Sequence, residues 1–164
     1  MEKQSDFKID DLKIEDSANL KGQWSTLVTP FKEDFSLDQE GLISNINHIR
    51  TLGTQGLGCT WGMGEFWSLS FEERLRIYDI VSDAAKGMLI GAHVSHTSLT
   101  EIRKLTDYAQ YCGFDIIMVA APYFVTKTED QVIEWIDSWR SDHIWHKEEG
   151  EWKLRFPVWE DVHR

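Results

Sequence analysis

Apolar positions in this chain follow two alternating patterns: short unbroken runs, and longer stretches where large apolar residues recur every three or four positions. The short runs read as strands. Residues 25–31 form one, stopped by Pro30. Residues 56–60 form a second, rich in small side chains, and residues 88–92 a third. Residues 115–121 are the clearest, a continuous apolar run of the kind a sheet covered on both sides requires. The periodic stretches between them read as helices. Asp38 caps the first, with Leu42, Ile43, Ile46 and Ile49 on one face and Gly53 as terminator. The second, residues 71–85, opens with a Ser70–Glu73 capping box, buries Leu75, Ile77, Tyr78 and Val81, and ends at Gly87. Ser98 and Glu101 predict another capping box, for a helix carrying Ile102, Leu105, Tyr108 and Ala109 to Gly113. Thr128 with Gln131 caps a fourth, carrying Val132, Ile133 and Ile136.

Four βα units with short loops predict an α/β fold with a parallel sheet and helices outside it. Connections of this kind are right-handed. Periodicity leaves a barrel-like and a doubly wound sheet equally open. Within this frame Thr60-Trp61-Gly62-Met63-Gly64-Glu65 is a strand's C-terminal end running into a βα loop, the place where α/β folds bind ligands. Glycines on both sides of Met63 let backbone N–H groups approach an anion without a Cβ in the way. A merely tight turn reads equally well from the local pattern.

Composition narrows the partners. The 164 residues fit one domain, of a size that buries ~70% of its unfolded surface. A net charge of −11 argues against nucleic acid or an anionic membrane as partner. No apolar run is long enough to span a bilayer, and residues 1–6 hold no apolar signal region, so a cytoplasmic location is expected. Cys59 and Cys112 make neither a disulfide framework nor a zinc site. His93 and His96 read as polar loop residues rather than metal ligands, and His143 and His146 as pointing to opposite faces of a strand, so no metal is expected. Glu65 reads as a residue pinning its loop rather than a general base. Tyr123, after Pro122, either presents its phenol to the site mouth or packs.

Three stretches then stand in a recognisable order: Thr26-Leu27-Val28-Thr29-Pro30-Phe31, the Gly62-Met63-Gly64-Glu65 loop followed by Leu69-Ser70 and Glu73-Arg74, and Ala121-Pro122-Tyr123-Phe124. Together they resemble the dihydrodipicolinate synthase / N-acetylneuraminate lyase family of class I aldolases, over roughly residues 22–137. The resemblance implies a (β/α)8 TIM barrel in which a lysine forms a Schiff base with pyruvate or another 2-oxo acid, with no metal or organic cofactor. It implies that Gly62, Met63 and Gly64 supply amides for the substrate carboxylate, with Tyr123 nearby. The family loop usually reads Gly-Thr-Thr-Gly-Glu. Here Gly62 and Met63 replace the two threonines, and no hydroxyl remains for their proton relay. Phe124 stands where the family has a second relay phenol. The loop therefore resembles that of a divergent lyase or hydratase-aldolase.

Length sets the other departure. A full barrel takes ~250 residues, whereas the recognisable units stop after the fourth. The family's fifth strand carries a catalytic tyrosine and its sixth the Schiff-base lysine, and neither strand is present. Lys86, Lys104 and Lys127 lie on helices or in a loop, without a context that lowers an amine's pKa. Residues 1–21 read as a mobile extension, residues 22–140 as an aldolase-like partial barrel of four βα units, and residues 141–164 as an unrelated tail. In that tail His143-Ile144-Trp145 and Trp152-Lys153-Leu154 flank Glu149-Gly150, an aromatic β-hairpin pattern. A gene fusion or frameshift would produce such a switch, as would a cap over an open sheet edge. The expectation is a lyase-type chain that binds a small 2-oxo acid but is inactive alone. The alternatives are a non-catalytic binding or regulatory half-barrel that forms homo-oligomers through its open strand edges, and a truncated or fused gene product.

Overall fold

The computed structural model describes residues 22–120, Thr128 and residues 130–131. The N-terminal extension, Ala121, Tyr123, Phe124, Lys127 and the aromatic tail lie outside the described residues. The element order is β1 (Trp24–Thr26), α1 (Gln39–Thr51), β2 (Gly56–Cys59), a 3-10 turn (Gly62–Gly64), α2 (Phe71–Ala84), β3 (Leu89–His93), α3 (Leu99–Tyr111) and β4 (Ile116–Met118). All three strand pairings are parallel, and the sheet order β1-β2-β3-β4 follows the chain. A doubly wound sheet reverses its order at a switch point. No reversal occurs among these strands, so the choice that periodicity left open falls against double winding.

The helices form for the reasons the sequence supplies. Asp38 accepts from the Gly41 N–H at 3.0 Å and starts α1. Ser70 and Glu73 close a reciprocal capping box on α2, with bonds of 2.7 and 3.2 Å. Thr128 and Gln131 do the same at 3.1 and 3.4 Å. The box expected at Ser98 does not form. The Ser98 N–H donates to His96 Nδ1 at 3.0 Å, and the Glu101 carboxylate accepts from Lys104 at 2.9 Å, so both partners are diverted.

One face of the sheet carries the core. Leu57 and Cys59 of β2 and Ile90 and Ala92 of β3 meet Leu42 and Ile46 of α1, Ile77, Tyr78 and Val81 of α2, and Ile102 and Leu105 of α3. The α1 stripe is narrower than expected, because Ile43 lies at its edge and is 41% exposed. Strand alternation turns Trp24, Gly56, Gly58, Gly91 and Ile116 to the opposite face, called helix-free below because no helix among the described residues packs on it.

β1 and β4 are shorter than the apolar runs that signal them. Leu27 still donates to the Gly58 carbonyl at 2.8 Å. Beyond it, Phe31 bridges antiparallel to Leu37, and the Lys32 N–H bonds to Ser36 O, so the chain doubles back after Pro30. After Met118, the Ala120 N–H donates to the Ser95 hydroxyl at 2.5 Å, a side chain standing where the ladder would continue.

Candidate functional site

Thr60 ends β2 in a left-handed conformation (φ +53°), buried, with its hydroxyl donating to the His93 carbonyl at 3.1 Å. That bend throws the next residues across the C-terminal end of the sheet. The Gly64 N–H donates to Trp61 O at 2.8 Å and the Glu65 N–H to Gly62 O at 3.0 Å, which closes the 3-10 turn. Thr29 Oγ1 donates to Gly64 O at 3.0 Å and ties the turn to the β1 loop. The N–H groups of Gly62 and Met63 are the first two of the turn, and neither finds an acceptor among the described residues.

Of the three amides expected to hold an acid, the turn itself takes Gly64's N–H, and those of Gly62 and Met63 are left without an acceptor among the described residues. The Met63 side chain is 69% exposed. Glu65 is exposed with φ +54°. Its main chain pins the loop, the carbonyl accepting from Ser68 N–H at 2.8 Å, while its carboxylate bonds to none of the described residues. Tyr123 and Phe124 lie outside the described residues.

Two features of the site go beyond the sequence reading. The first is Trp61, whose indole folds back over the helix-free face. A Cβ on Gly58 would lie 2.0 Å from Trp61 Cε2, and one on Gly91 3.1 Å from its Cζ2. The two glycines are the floor on which the ring rests. Trp24 stacks beside it, centroids 6.2 Å apart and planes 16° from parallel. The signal was present: small residues alternating along β2 call for a large side chain from elsewhere to fill that face.

The second is Arg74, an arginine in the inward stripe of α2 and only 2% exposed. Its guanidinium donates to Ser95 O at 2.9 Å and to His93 O. Tyr78 OH also donates to His93 O, at 2.8 Å, so one carbonyl gathers Thr60, Arg74 and Tyr78. No carboxylate pairs with Arg74 among the described residues. Burial, and then the Arg74 charge, push the His93 imidazole down to about 3, so it is neutral. Burial pushes the Tyr78 phenol up to about 12. His93 packs on the Phe66 ring at 4.1 Å, whereas His96 is exposed. Lys86 and Lys104 point away from the site: Lys86 pairs with Asp83 at 3.6 Å and Lys104 with Glu101. A cleft of about 230 Å³ opens between the loop and β3, lined by Phe66, Trp67, Arg74 and Ser95.

Comparison with known proteins adds a lineage. Residues 19–138 match the model of the Dihydrodipicolinate synthetase family. The chain is 35% identical over 115 residues to an uncharacterized DapA-like lyase of Thermococcus kodakarensis, covering 68% of this chain and 38% of that one. It is 34% identical over 106 residues to 4-hydroxy-tetrahydrodipicolinate synthase of Methanothermobacter thermautotrophicus, covering 64% and 38%. The structure superposes on YagE, a prophage protein of the dihydrodipicolinic acid synthase family from E. coli K12 in complex with pyruvate. The TM-score is 0.67 at 27% identity, covering 72% of this chain and 40% of that one. N-acetylneuraminate lyase from Fusobacterium nucleatum gives a TM-score of 0.69 at 26% identity, covering 75% and 43%. The chain spans about two fifths of the length of these relatives.

Proposed function

Because this chain belongs to the dihydrodipicolinate synthetase family, we propose that it carries the acid-binding half of a class I aldolase site. On this reading the four βα units are half of a (β/α)8 barrel, and the Gly62 and Met63 amides, without acceptors among the described residues, hold the carboxylate of pyruvate or another 2-oxo acid. The observation that carries it is this pair of adjacent N–H groups at the C-terminal end of a parallel strand, neither with an acceptor among the described residues. Backbone amides aimed at a carboxylate gain from charge, about 1.5–3 kcal/mol per hydrogen bond. Two such bonds total about 3–6 kcal/mol, and the cost of immobilising a small acid takes up much of that, so binding is millimolar at its tightest.

Chemistry at the 2-oxo carbon needs an amine lowered in pKa at a strand end, and the lysines among the described residues are all exposed, Lys32 and Lys86 in loops and Lys104 on α3. Gly62 and Met63 offer no hydroxyl to move a proton. We therefore expect this polypeptide to bind the acid without forming a Schiff base by itself. Borohydride reduction in the presence of pyruvate tests this. No lysine should be labelled, and a labelled lysine would overturn the reading.

A second reading rests on the sheet edges. Among the described residues β1 and β4 are each paired on one side only. A non-catalytic half-barrel that closes those edges against another copy fits that arrangement. Sedimentation as a dimer or larger would favour it, and a well-behaved monomer would count against it.

A further inference from the structure

Trp61 Nε1 is shielded from solvent and has no hydrogen-bond partner among the described residues. An indole N–H is a donor only, so nothing but an acceptor can satisfy it. Buried donors without partners are rare enough that each calls for an explanation. A phenylalanine would fill the same face without the penalty.

The placement narrows the acceptor. Cε2, the atom bonded to Nε1, lies over Gly58, and the ring is held between the Gly58–Gly91 floor and the Trp24 stack, so the N–H has a fixed position on the helix-free face. The next two residues in the chain, Gly62 and Met63, carry the two unpaired amides. Three consecutive residues thus each hold a donor that no described group accepts.

We propose that Trp61 is a positioning residue, its indole N–H donating to an oxygen of the same small acid whose carboxylate the Gly62 and Met63 amides hold. The assignment rests on the 2-oxo acid reading and deepens it. The ligand it selects is a compact planar acid with more than one oxygen acceptor, because the indole occupies the volume that the two glycines leave open. An acid bound this way is oriented as well as held. Two amides alone leave the carboxylate free to swing, and a third donor on a clamped ring fixes it.

The test is a pyruvate titration of the full 15N-labelled chain, with the Trp61 indole resonance assigned by its disappearance in W61F. The indole resonance and the Gly62 and Met63 amides should move along one saturation curve. W61F should weaken pyruvate binding about tenfold while the amides still respond. Amides that respond while the indole stays still, with W61F binding unchanged, overturn the Trp61 assignment and leave acid binding standing. Amides that never respond overturn the acid-binding reading itself. Should W61F fail to fold, the indole resonance is assigned instead by its NOEs to the Gly58 and Gly91 protons beneath the ring, and its shift in the unaltered chain decides the matter.

Discussion

Replacing Gly58 with alanine puts the packing of Trp61 to a quantitative test. The added methyl would lie 2.0 Å from Trp61 Cε2 and 2.3 Å from Cδ2 and Cζ2. Carbon atoms settle about 3.5–4.0 Å apart, so the ring has to retreat by about 1.5 Å. Trp24 stacks beside it, and the rigid indole has no flexible end to swing aside. Overpacking of this kind costs about 1–3 kcal/mol, which lowers Tm by roughly 3–10 °C. The neighbouring glycines grade the effect. Gly91→Ala meets Trp61 Cζ2 at 3.1 Å and Ile116 Cγ1 at 3.0 Å, contacts relieved by a few tenths of an ångström, and should cost less than about 1 kcal/mol. Gly62→Ala meets nothing within 4 Å and should stay within about 0.5 kcal/mol of the unaltered chain. Thermal and urea unfolding of the series read these differences. The decisive comparison is a double-mutant cycle: against a W61A background, Gly58→Ala should lose nearly all of its penalty. A Gly58→Ala chain as stable as the parent, or one equally destabilised in the W61A background, would refute the placement of the indole.

Other consequences are equally open to measurement. Because His93 is held neutral down to about pH 3 in the fold while an unfolded histidine protonates near 6.5, the unfolded chain binds the extra proton between those values. This contribution is intact above about pH 6.5 and is lost as the pH falls toward 3, with a slope approaching 1.4 kcal/mol per unit. His93→Gln should flatten that slope in urea unfolding, and an unchanged slope would count against a buried neutral imidazole. Arg74→Met removes the donors on the Ser95 and His93 carbonyls and should cost about 2–4 kcal/mol, with Arg74→Lys recovering part of it, as read by chemical denaturation. Ser70→Ala breaks the α2 capping box and should cost about 1 kcal/mol by the same measurement.

The parts of the fold legible in the sequence were those with a local cause. Ser70 and Glu73 announce α2 through a side-chain–backbone exchange three residues apart, and the structure realises it. The same pattern at Ser98 and Glu101 fails because His96 and Lys104, both close in sequence, offer competing partners. The apolar runs located β1 and β4 but overstated their lengths, since Pro30 and Ser95 redirect the backbone through contacts beyond a period-2 pattern. At the site, spacing placed the glycine turn at the end of β2 and suggested amides as its chemistry. It did not reveal that the turn would use the Gly64 N–H internally. Alternating small residues along β2 signalled that a large side chain covers that face, but that it is Trp61, and that Arg74 gathers carbonyls, was out of reach for a related reason. Periodicity assigns a residue to a face, but a ring folding from a loop onto glycines of two strands, or a guanidinium gathering carbonyls at and just beyond the end of β3, exists only after the sheet has assembled.

A crystal structure of the chain soaked with pyruvate tests the acid cradle most directly. The account predicts the carboxylate oxygens within ~3 Å of the Gly62 and Met63 nitrogens. A pyruvate seated instead against Arg74 in the neighbouring cleft, with those two amides facing solvent, would contradict it.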